Sequence, residues 1–206
     1  MKAINKLKTN SSPGWDGISP IVFKKLKYRL ASPLAAIFEL SMKVGKVPDS
    51  WKKAIVTPIF KSGDRASIKN YRPISLTCVA CKIMERIVVN KINEHLSVHN
   101  LLSPNQYAYQ TSKSCDTQLL HFTNEIQNTL KSKLQADVVY LDFSKAFDSV
   151  VHSKLLFKLN VLGIAGNLLK WIESFLTSRV QSVKVLGSLS EFIPVVSGVP
   201  QGSVLG

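Results

Sequence analysis

The run at residues 138–141, Val-Val-Tyr-Leu, limits the fold of this chain more than any other stretch. It is apolar, β-branched and aromatic with polar residues nearby, which predicts a short strand buried on both faces; a buried helical turn is the alternative. Asp142 follows the run directly. A carboxylate at the end of a buried strand can hold Mg²⁺ in a cleft, and the simpler interpretation is an aspartate that caps a turn.

Charge and composition limit the class of protein. Of the 206 residues, 45% are hydrophobic and 19% are charged, which is typical of a globular chain with a sizeable core. The formal net charge is +14, and residues 1–95 carry 18 of the 27 Lys and Arg against 6 of the 13 Asp and Glu. This excess predicts a polyanionic partner, nucleic acid ahead of anionic membrane, bound by the first half of the chain.

The chain lacks the features of a secreted or membrane protein. Its first residues have no apolar signal core, no apolar run reaches the length of a membrane span, and three cysteines give no disulfide framework. We therefore expect a soluble intracellular protein, nuclear or cytoplasmic, without a membrane partner.

A hairpin in the first half has the chemistry of phosphate binding. Residues 54–60 and 71–76 predict its two strands, with Lys61 near the turn and Arg72 on the return strand. Together these side chains could clamp a triphosphate, because arginine binds phosphate oxygens in fork geometry. The spacing alone is a weak signal, since exposed Lys and Arg occur on any surface.

A loop near the N-terminus is a second candidate for phosphate binding. Pro13-Gly14 and Asp16-Gly17 predict a tight loop with exposed backbone amides. These amides could hold a phosphate or a nucleic-acid backbone, or the residues could simply punctuate the chain.

A zinc site is a further possibility. Cys78, Cys81, His95 and His99 have the spacing of a Cys₂His₂ site. The residues between them follow helical periodicity, and in one straight helix Cys81 and His95 would stand about 21 Å apart, too far to share an ion. We therefore interpret both cysteines as core residues, with zinc as the weaker alternative.

Three helices and a hairpin are predicted in the second half of the chain. Periodicity predicts helices at 114–134, 152–162 and 166–177, and a hairpin that pairs 181–185 with 192–196. Tyr107 and Tyr109, in the loop before the first of these helices, could stack on bases or be buried.

Five blocks occur in a fixed order along the chain. They are Ser12-Pro13-Gly14-x-Asp16-Gly17-Ile18, Trp51-x₂-Ala54-x-Val56-x-Pro58-Ile59-x-Lys61-x-Gly63-Asp64, Tyr71-Arg72-Pro73-Ile74-Ser75-Leu76, Leu141-Asp142-Phe143-Ser144-Lys145-Ala146-Phe147-Asp148 and Ser197-Gly198-Val199-Pro200-Gln201-Gly202-Ser203-Val204-Leu205-Gly206. In this order they resemble the reverse transcriptase domain of non-LTR (LINE-like) retrotransposons over nearly the whole chain. Any one block would be weak evidence, whereas five in the right order are strong.

The resemblance implies an α+β fold, a right-hand polymerase of which this chain holds the fingers and part of the palm. The fingers, residues 1–134, would be basic and mainly helical, with the hairpin near 54–76. The palm, residues 135–206, would be truncated and would pack an antiparallel sheet against helices. The thumb would be absent.

The resemblance also implies roles for individual residues. Asp142 matches the first metal-binding, catalytic aspartate, with the Phe143 carbonyl helping to hold Mg²⁺. Phe147 matches the ring that collides with a 2′-hydroxyl and so selects deoxynucleotides. The other nucleotide-binding residues would be Lys61, Arg72, Gln201 and Gly202, and the nucleic-acid-binding loop would hold Pro13, Gly14, Asp16 and Gly17.

The implied reaction is two-metal phosphoryl transfer, with two Mg²⁺ or with Mn²⁺. Its partners would be an RNA template, a DNA primer and deoxynucleoside triphosphates. Asp148 and His152 also belong to the pattern, and we expect them to cap the helix that follows.

Two departures from the family pattern matter. Residues 106–110, Gln-Tyr-Ala-Tyr-Gln, stand where the family has Gln-x-Gly-Phe-Arg, which removes a turn glycine and a phosphate-binding arginine. The chain also stops at Gly206, before the aromatic-Ala-Asp-Asp segment that supplies the remaining carboxylates. Because one aspartate cannot hold two magnesium ions, we expect the isolated fragment to be inactive.

Two other interpretations use the same residues. A nucleic-acid-binding remnant of a decayed element would bind RNA or DNA in a salt-sensitive way without incorporating nucleotides. An RNA-templated RNA polymerase or an intron maturase would share the palm, but Phe147 speaks against the use of ribonucleotides.

Overall fold

The structure, a computed structural model that describes residues 1–206, combines seven α-helices with a five-stranded sheet. The α+β class predicted from the sequence is confirmed. The helices are α1 (Lys2–Asn5), α2 (Pro20–Lys25), α3 (Lys27–Val44), α4 (Val79–Val98), α5 (Cys115–Lys131), α6 (His152–Val161) and α7 (Gly166–Leu176). The strands are β1 (Lys53–Phe60), β2 (Tyr71–Leu76), β3 (Arg179–Val185), β4 (Ser188–Leu189) and β5 (Ile193–Val195). Short 3₁₀ helices, Asp49–Lys52 and Ile68–Asn70, precede β1 and β2.

The three helices predicted in the second half are confirmed as α5, α6 and α7. Helix α7 buries Trp171, Ile172, Phe175 and Leu176, which recur at helical spacing on one face. None of the seven helices combines the length and the apolar character that a bilayer crossing requires.

The sheet joins two hairpins that are far apart in sequence. Strands β1 and β2 pair antiparallel from Ile55 opposite Leu76 to Phe60 opposite Tyr71, as predicted. The second predicted hairpin is confirmed in part: β3 pairs antiparallel with β5, but through residues 179–181 rather than 181–185, and Lys184 and Val185 pair with β4. Within residues 135–206 the strands pair antiparallel, as expected for the palm, whereas β1 and β3 are parallel, a pairing that was not predicted.

By its internal contacts the chain forms two compact units. Unit 1 contains residues 1–93 and 145–206, and unit 2 contains residues 94–144. The division into fingers (1–134) and palm (135–206) is a functional division and stays a prediction.

Unit 1 has a core on two faces of α4. Cys78, Cys81, Met84 and Val88 pack with α7 residues including Trp171 and Phe175, whose rings stack at 5.8 Å. Val79 and Ile83 pack instead with the N-terminal residues Ile4, Leu7, Phe23 and Leu34. The interpretation of the two cysteines as core residues is therefore confirmed, and the helix predicted between them and the histidines is α4.

Unit 2 depends on local structure. Helix α5 begins with a capping box, in which Ser114 Oγ accepts the Thr117 N–H at 3.1 Å and Thr117 Oγ1 accepts the Ser114 N–H at 2.9 Å. None of the α5 side chains is buried. In the preceding loop, Tyr109 is 82% exposed, and Tyr107 is half-buried with Lys113 Nζ 4.8 Å from its ring centre.

Candidate active site

The segment before Asp142 has no regular structure, so the buried strand predicted at 138–141 is wrong. Val139, Tyr140 and Leu141 are 81%, 83% and 88% exposed. A buried strand needs hydrogen-bonding neighbours and a packed layer on each face, and none of the five strands pairs with these residues. The apolar pattern is present, but nothing in the fold covers it.

Asp142 and Phe143 share this exposure. The Asp142 side chain is exposed, and Phe143 is 83% exposed. The segment makes one ring contact within unit 2, where the rings of Tyr140 and Phe122 lie 6.5 Å apart. The structure therefore presents the candidate catalytic carboxylate on an open surface.

Two of the sequence blocks meet in unit 1 through backbone hydrogen bonds. The Val199 N–H donates to the Phe147 carbonyl at 2.9 Å, and the Gly198 N–H donates to the Val150 carbonyl at 2.9 Å. Gly198 has φ +80°, and a Cβ there would stand 2.7 Å from the Phe147 oxygen, so only glycine permits this approach. The structure thus brings Phe147 beside the block that carries Gln201.

His152 supports the same junction. Its Nε2 lies 2.7 Å from the Gly198 carbonyl oxygen, and since a carbonyl only accepts, Nε2 must carry a proton. The expected helix cap is wrong, because α6 begins after Val151 and has no side-chain cap. His152 and Asp148 instead hold the loop at 197–199, with the Ser197 hydroxyl donating to the Asp148 carbonyl at 3.2 Å.

A cleft of about 270 Å³ lies next to this junction. Gln201 and Asp148 line it, together with Ser75 and Arg179 from the sheet. The Gln201 carbonyl accepts the Ser75 N–H at 2.7 Å, which fixes the backbone of the turn at the cleft.

Gly202 fits where a larger residue would not. Its φ is +108°, and a Cβ would stand 3.0 Å from the Ser75 oxygen and 3.1 Å from Ile74 Cγ2. The expected close approach at this glycine is therefore made to strand β2.

Lys61 and Arg72 lie on one face of the β1–β2 hairpin. Arg72 is opposite Ile59, and Lys61 follows Ile59 by two residues, so alternation places both cations on the same side. The Lys61 N–H donates to the Asn70 carbonyl at 2.8 Å, which extends the ladder to Lys61. Both side chains are exposed and unpaired, as a phosphate-binding pair requires.

The N-terminal loop forms a hydrogen-bonded turn, so some of its backbone amides are already paired within the loop. Asp16 Oδ1 accepts the Ile18 N–H at 3.2 Å, and the Gly17 N–H donates to the Gly14 carbonyl at 3.1 Å. Gly14 presses on Cys78, whose Cα would be 2.6 Å from an added Cβ. Pro13 is half-buried beside it, and the role of this loop in binding nucleic acid stays a prediction.

Three buried groups of unit 1 have shifted pKa values. Hydrogen bonding to Cys81 lowers the pKa of the Cys78 thiol, and the same bond together with burial raises the pKa of Cys81 well above its usual range. Burial lowers the pKa of Arg179, and nearby negative charge, including that of Glu85, opposes this shift.

Comparison with known proteins decides the family. A sequence model described as "Reverse transcriptase (RNA-dependent DNA polymerase)" matches residues 59–206. The chain belongs to this reverse transcriptase family. The assignment to non-LTR elements made from the five blocks is confirmed by the relatives below.

The relatives are reverse transcriptases of mobile elements. The chain is 33% identical to the probable RNA-directed DNA polymerase from transposon BS of Drosophila melanogaster, over 100% of this chain and 23% of the relative. It is 33% identical to the RNA-directed DNA polymerase from mobile element jockey of the same species, over 98% and 22%. It is 29% identical to the Pol polyprotein from retrotransposable element R2 of Popillia japonica, over 95% and 26%. The chain therefore spans about a quarter of the length of these relatives.

Reverse transcriptases use divalent metal ions, but this chain's residues do not fit a complete metal site. No three His, Cys, Asp or Glu side chains stand close enough to hold an ion. The Asp142 carboxylate and the Phe143 carbonyl would leave most of the six positions around Mg²⁺ to other donors. The sequence-based assignment of these two residues thus stays a prediction.

Two buried charges were missed by the sequence analysis. Glu85 is 0% exposed and Arg179 is 3% exposed. A signal for Glu85 exists, because it stands four residues after Cys81 and three before Val88, in the phase of the buried face of α4. Arg179 at the start of a strand gives no comparable signal.

Proposed function

We propose that this chain forms the part of an RNA-directed DNA polymerase that receives the incoming deoxynucleotide. The observation that carries the proposal is the junction of two family blocks, in which the Phe147 carbonyl accepts the Val199 N–H beside a cleft lined by Gln201. The junction holds the backbone of Phe147 against the loop that leads to Gln201, which supports a nucleotide site shared by these two blocks. The family match over residues 59–206 supports the same function.

Each candidate residue then has a role toward the nucleotide. The Phe147 ring excludes the 2′-hydroxyl, Gln201 contacts the sugar, and Gly202 lets the backbone approach the base pair. Lys61 and Arg72 bind the triphosphate, for which their shared face and lack of ion pairs suit them. The loop with Pro13, Gly14, Asp16 and Gly17 contacts the template in this scheme.

In this proposal the first part of the chain acts as fingers and the last part as palm. The RNA template and the DNA primer contact the basic half, since residues 1–95 carry most of the excess positive charge. Asp142 and the Phe143 carbonyl contribute to binding Mg²⁺ or Mn²⁺ in this proposal, and the ion needs further oxygen ligands beyond these two.

Sugar selection on an RNA template–DNA primer duplex tests the proposal. We expect the chain to bind the matched deoxynucleotide about tenfold more tightly than its ribonucleotide, because the ring at Phe147 collides with the extra hydroxyl. The variant Phe147→Ala should remove this difference, and Phe157→Ala, which alters an exposed ring on α6, serves as the matched control. Equal affinity of the unaltered chain for both sugars, measured by calorimetry, would refute the role of Phe147.

Binding of nucleic acid without catalysis is the second candidate function. The net charge of +14 and the open surface around Asp142 favour it. It predicts that the chain binds the duplex with a steep salt dependence but gains no affinity for a matched nucleotide. Selective binding of the matched deoxynucleotide would exclude it.

A further inference from the structure

A carboxylate in the core of unit 1 has no role in the proposed function so far. Glu85 is completely buried in α4, next to Met84 and near Val88 in the main hydrophobic cluster. Burying a carboxylate is costly unless hydrogen bonds or an opposite charge compensate for its lost hydration. The partners of Glu85 therefore indicate why a charge stands at this position.

Those partners belong to residues 200–206, which we call the 200–206 turn. Glu85 Oε2 accepts the Val204 N–H at 2.7 Å and the Leu205 N–H at 3.0 Å. Both bonds are charge-assisted and buried, so each is stronger than a neutral bond in water. Within the turn, the Ser203 N–H donates to the Pro200 carbonyl at 3.0 Å.

The 200–206 turn is therefore held at two points. Ser75 of strand β2 binds the Gln201 carbonyl at 2.7 Å, and Glu85 binds the amides of Val204 and Leu205. Gln201, which lines the cleft, carries the first anchor, and Gly202 stands between the two anchors along the chain. Release of the Glu85 anchor leaves the turn attached through Ser75 and through apolar packing only.

Arg179 is a second buried charged residue of unit 1. It is 3% exposed, its Nη1 donates to the Phe175 carbonyl at 2.8 Å, and its guanidinium lies 4.8 Å from the Phe175 ring centre. The negative charge of Glu85 favours the charged form of this arginine against the effect of burial. Glu85 thus links α4 to the turn through two hydrogen bonds, and its charge acts on Arg179 at the start of β3.

We propose that Glu85 is a positioning residue for the nucleotide, which it serves by fixing the backbone of the 200–206 turn and with it Gln201 and Gly202. The inference rests on the proposed nucleotide-binding function of these two residues. Glu85 does not touch the nucleotide in this proposal. Its effect reaches the cleft through two backbone amides.

Amide hydrogen exchange tests the anchor on the 206-residue chain without any assumption about catalysis. In Glu85→Ala, the amides of Val204 and Leu205 should exchange at least about tenfold faster, because each loses a charge-assisted acceptor. The matched control is Ile83→Ala, which truncates a buried residue of the same helix that packs on the other cluster. Exchange at these two amides that is no faster in Glu85→Ala than in Ile83→Ala would overturn the proposal.

Two further variants sharpen the test of the anchor. Glu85→Gln retains an acceptor oxygen, and we expect it to keep exchange at both amides within about threefold of the unaltered chain. Val204→Pro removes one of the two donors and leaves Glu85 in place as the acceptor for the Leu205 N–H, so the Leu205 amide should exchange more slowly in Val204→Pro than in Glu85→Ala. A Leu205 amide that exchanges as fast in Glu85→Gln as in Glu85→Ala contradicts the anchor.

Nucleotide affinity on the RNA–DNA duplex links the anchor to function. A positioning role predicts that Glu85→Ala and Val204→Pro weaken binding of the matched deoxynucleotide by about tenfold, while Glu85→Gln restores it and Ile83→Ala leaves it unchanged. Equal affinities in Glu85→Ala and Ile83→Ala would overturn the positioning role. If the unaltered chain binds no nucleotide, the proposed function fails instead, and the exchange rates alone then decide whether Glu85 anchors the turn.

Discussion

The 200–206 turn and the segment that ends at Asp142 both lie within the region that matches the reverse transcriptase family. In the structure the turn is held by hydrogen bonds, whereas the segment is exposed. The turn is held by Ser75 and Glu85 through three backbone hydrogen bonds of 2.7, 2.7 and 3.0 Å. The segment lies open, with Leu141 88% exposed and without a strand partner. Sequence identity to a motif thus shows family membership, whereas a formed site also requires the elements that pack on the motif.

The largest expected effect concerns catalysis. We predict that the 206-residue chain extends no DNA primer on an RNA template, because its one candidate metal-binding aspartate stands on an open segment without further carboxylates. Radiolabelled primer extension with Mg²⁺ or Mn²⁺ measures this, with a complete reverse transcriptase on the same duplex as positive control. Metal-dependent synthesis that Asp142→Asn abolishes would show that the chain assembles the site by itself.

The next largest effect is the difference in amide exchange rate between the segment at 138–141 and helix α7. Amides of residues 138–141 should exchange within about tenfold of the rate in an unfolded peptide, whereas those of Ile172 and Phe175 should exchange at least about a thousandfold more slowly. The reason is that α7 is hydrogen-bonded and buried, while the segment is neither. Protection at 138–141 comparable to that of α7 would mean that a strand forms there in solution.

Truncating a buried side chain of α7 should lower the free energy of unfolding far more than truncating an exposed side chain of α5. Phe175→Ala removes a fully buried ring that stacks on Trp171 and should cost about 3–5 kcal/mol. Leu120→Ala alters a side chain that is 71% exposed on α5 and should change stability by less than about 0.5 kcal/mol. Urea unfolding followed by circular dichroism measures both. A loss above 1 kcal/mol, about twice this limit, in Leu120→Ala would indicate an apolar contact of unit 2 in solution.

Local chemistry explains which parts of the fold the sequence predicts. The β1–β2 hairpin follows from alternation and turn residues within about twenty positions, and α7 follows from its apolar spacing. The parallel pairing of β1 with β3 joins strands more than a hundred residues apart, and no local pattern encodes it. The prediction of a strand at 138–141 is wrong for the opposite reason. The local apolar pattern is present there, but the residues form no strand.

The residues of the candidate site also differ in whether the sequence predicts them. Gln201, Gly202 and Phe147 were found through motifs, and the structure brings the last of these beside Val199. Glu85 was missed because its role depends on amides 119 and 120 residues away. A charged residue in the buried phase of an apolar helix is the signal that could have found it.

Alanine substitutions at two glycines should have smaller effects on stability. Gly202→Ala should destabilise the chain by about 1–3 kcal/mol, because φ is +108° and the added Cβ would press on the Ser75 oxygen. Gly17→Ala should cost about 1 kcal/mol, because φ is +70° and no heavy atom lies within 4 Å of the added Cβ. Thermal unfolding compares the two. Equal losses would mean that the 200–206 turn yields to the Cβ and is less firmly held than its hydrogen bonds indicate.

The smallest expected effect is at the residue with the strongest family signal. Asp142 is exposed and accepts no hydrogen bond, so Asp142→Asn should change the free energy of unfolding by less than about 0.5 kcal/mol. The same substitution at Glu85 removes a buried charge next to Arg179 and should be clearly destabilising by comparison. Urea unfolding of Asp142→Asn and Glu85→Gln in one buffer makes the comparison directly. A carboxylate that contributes nothing to stability is free to bind a metal once further ligands approach, whereas a large loss in Asp142→Asn would show that the aspartate is already part of the folded structure.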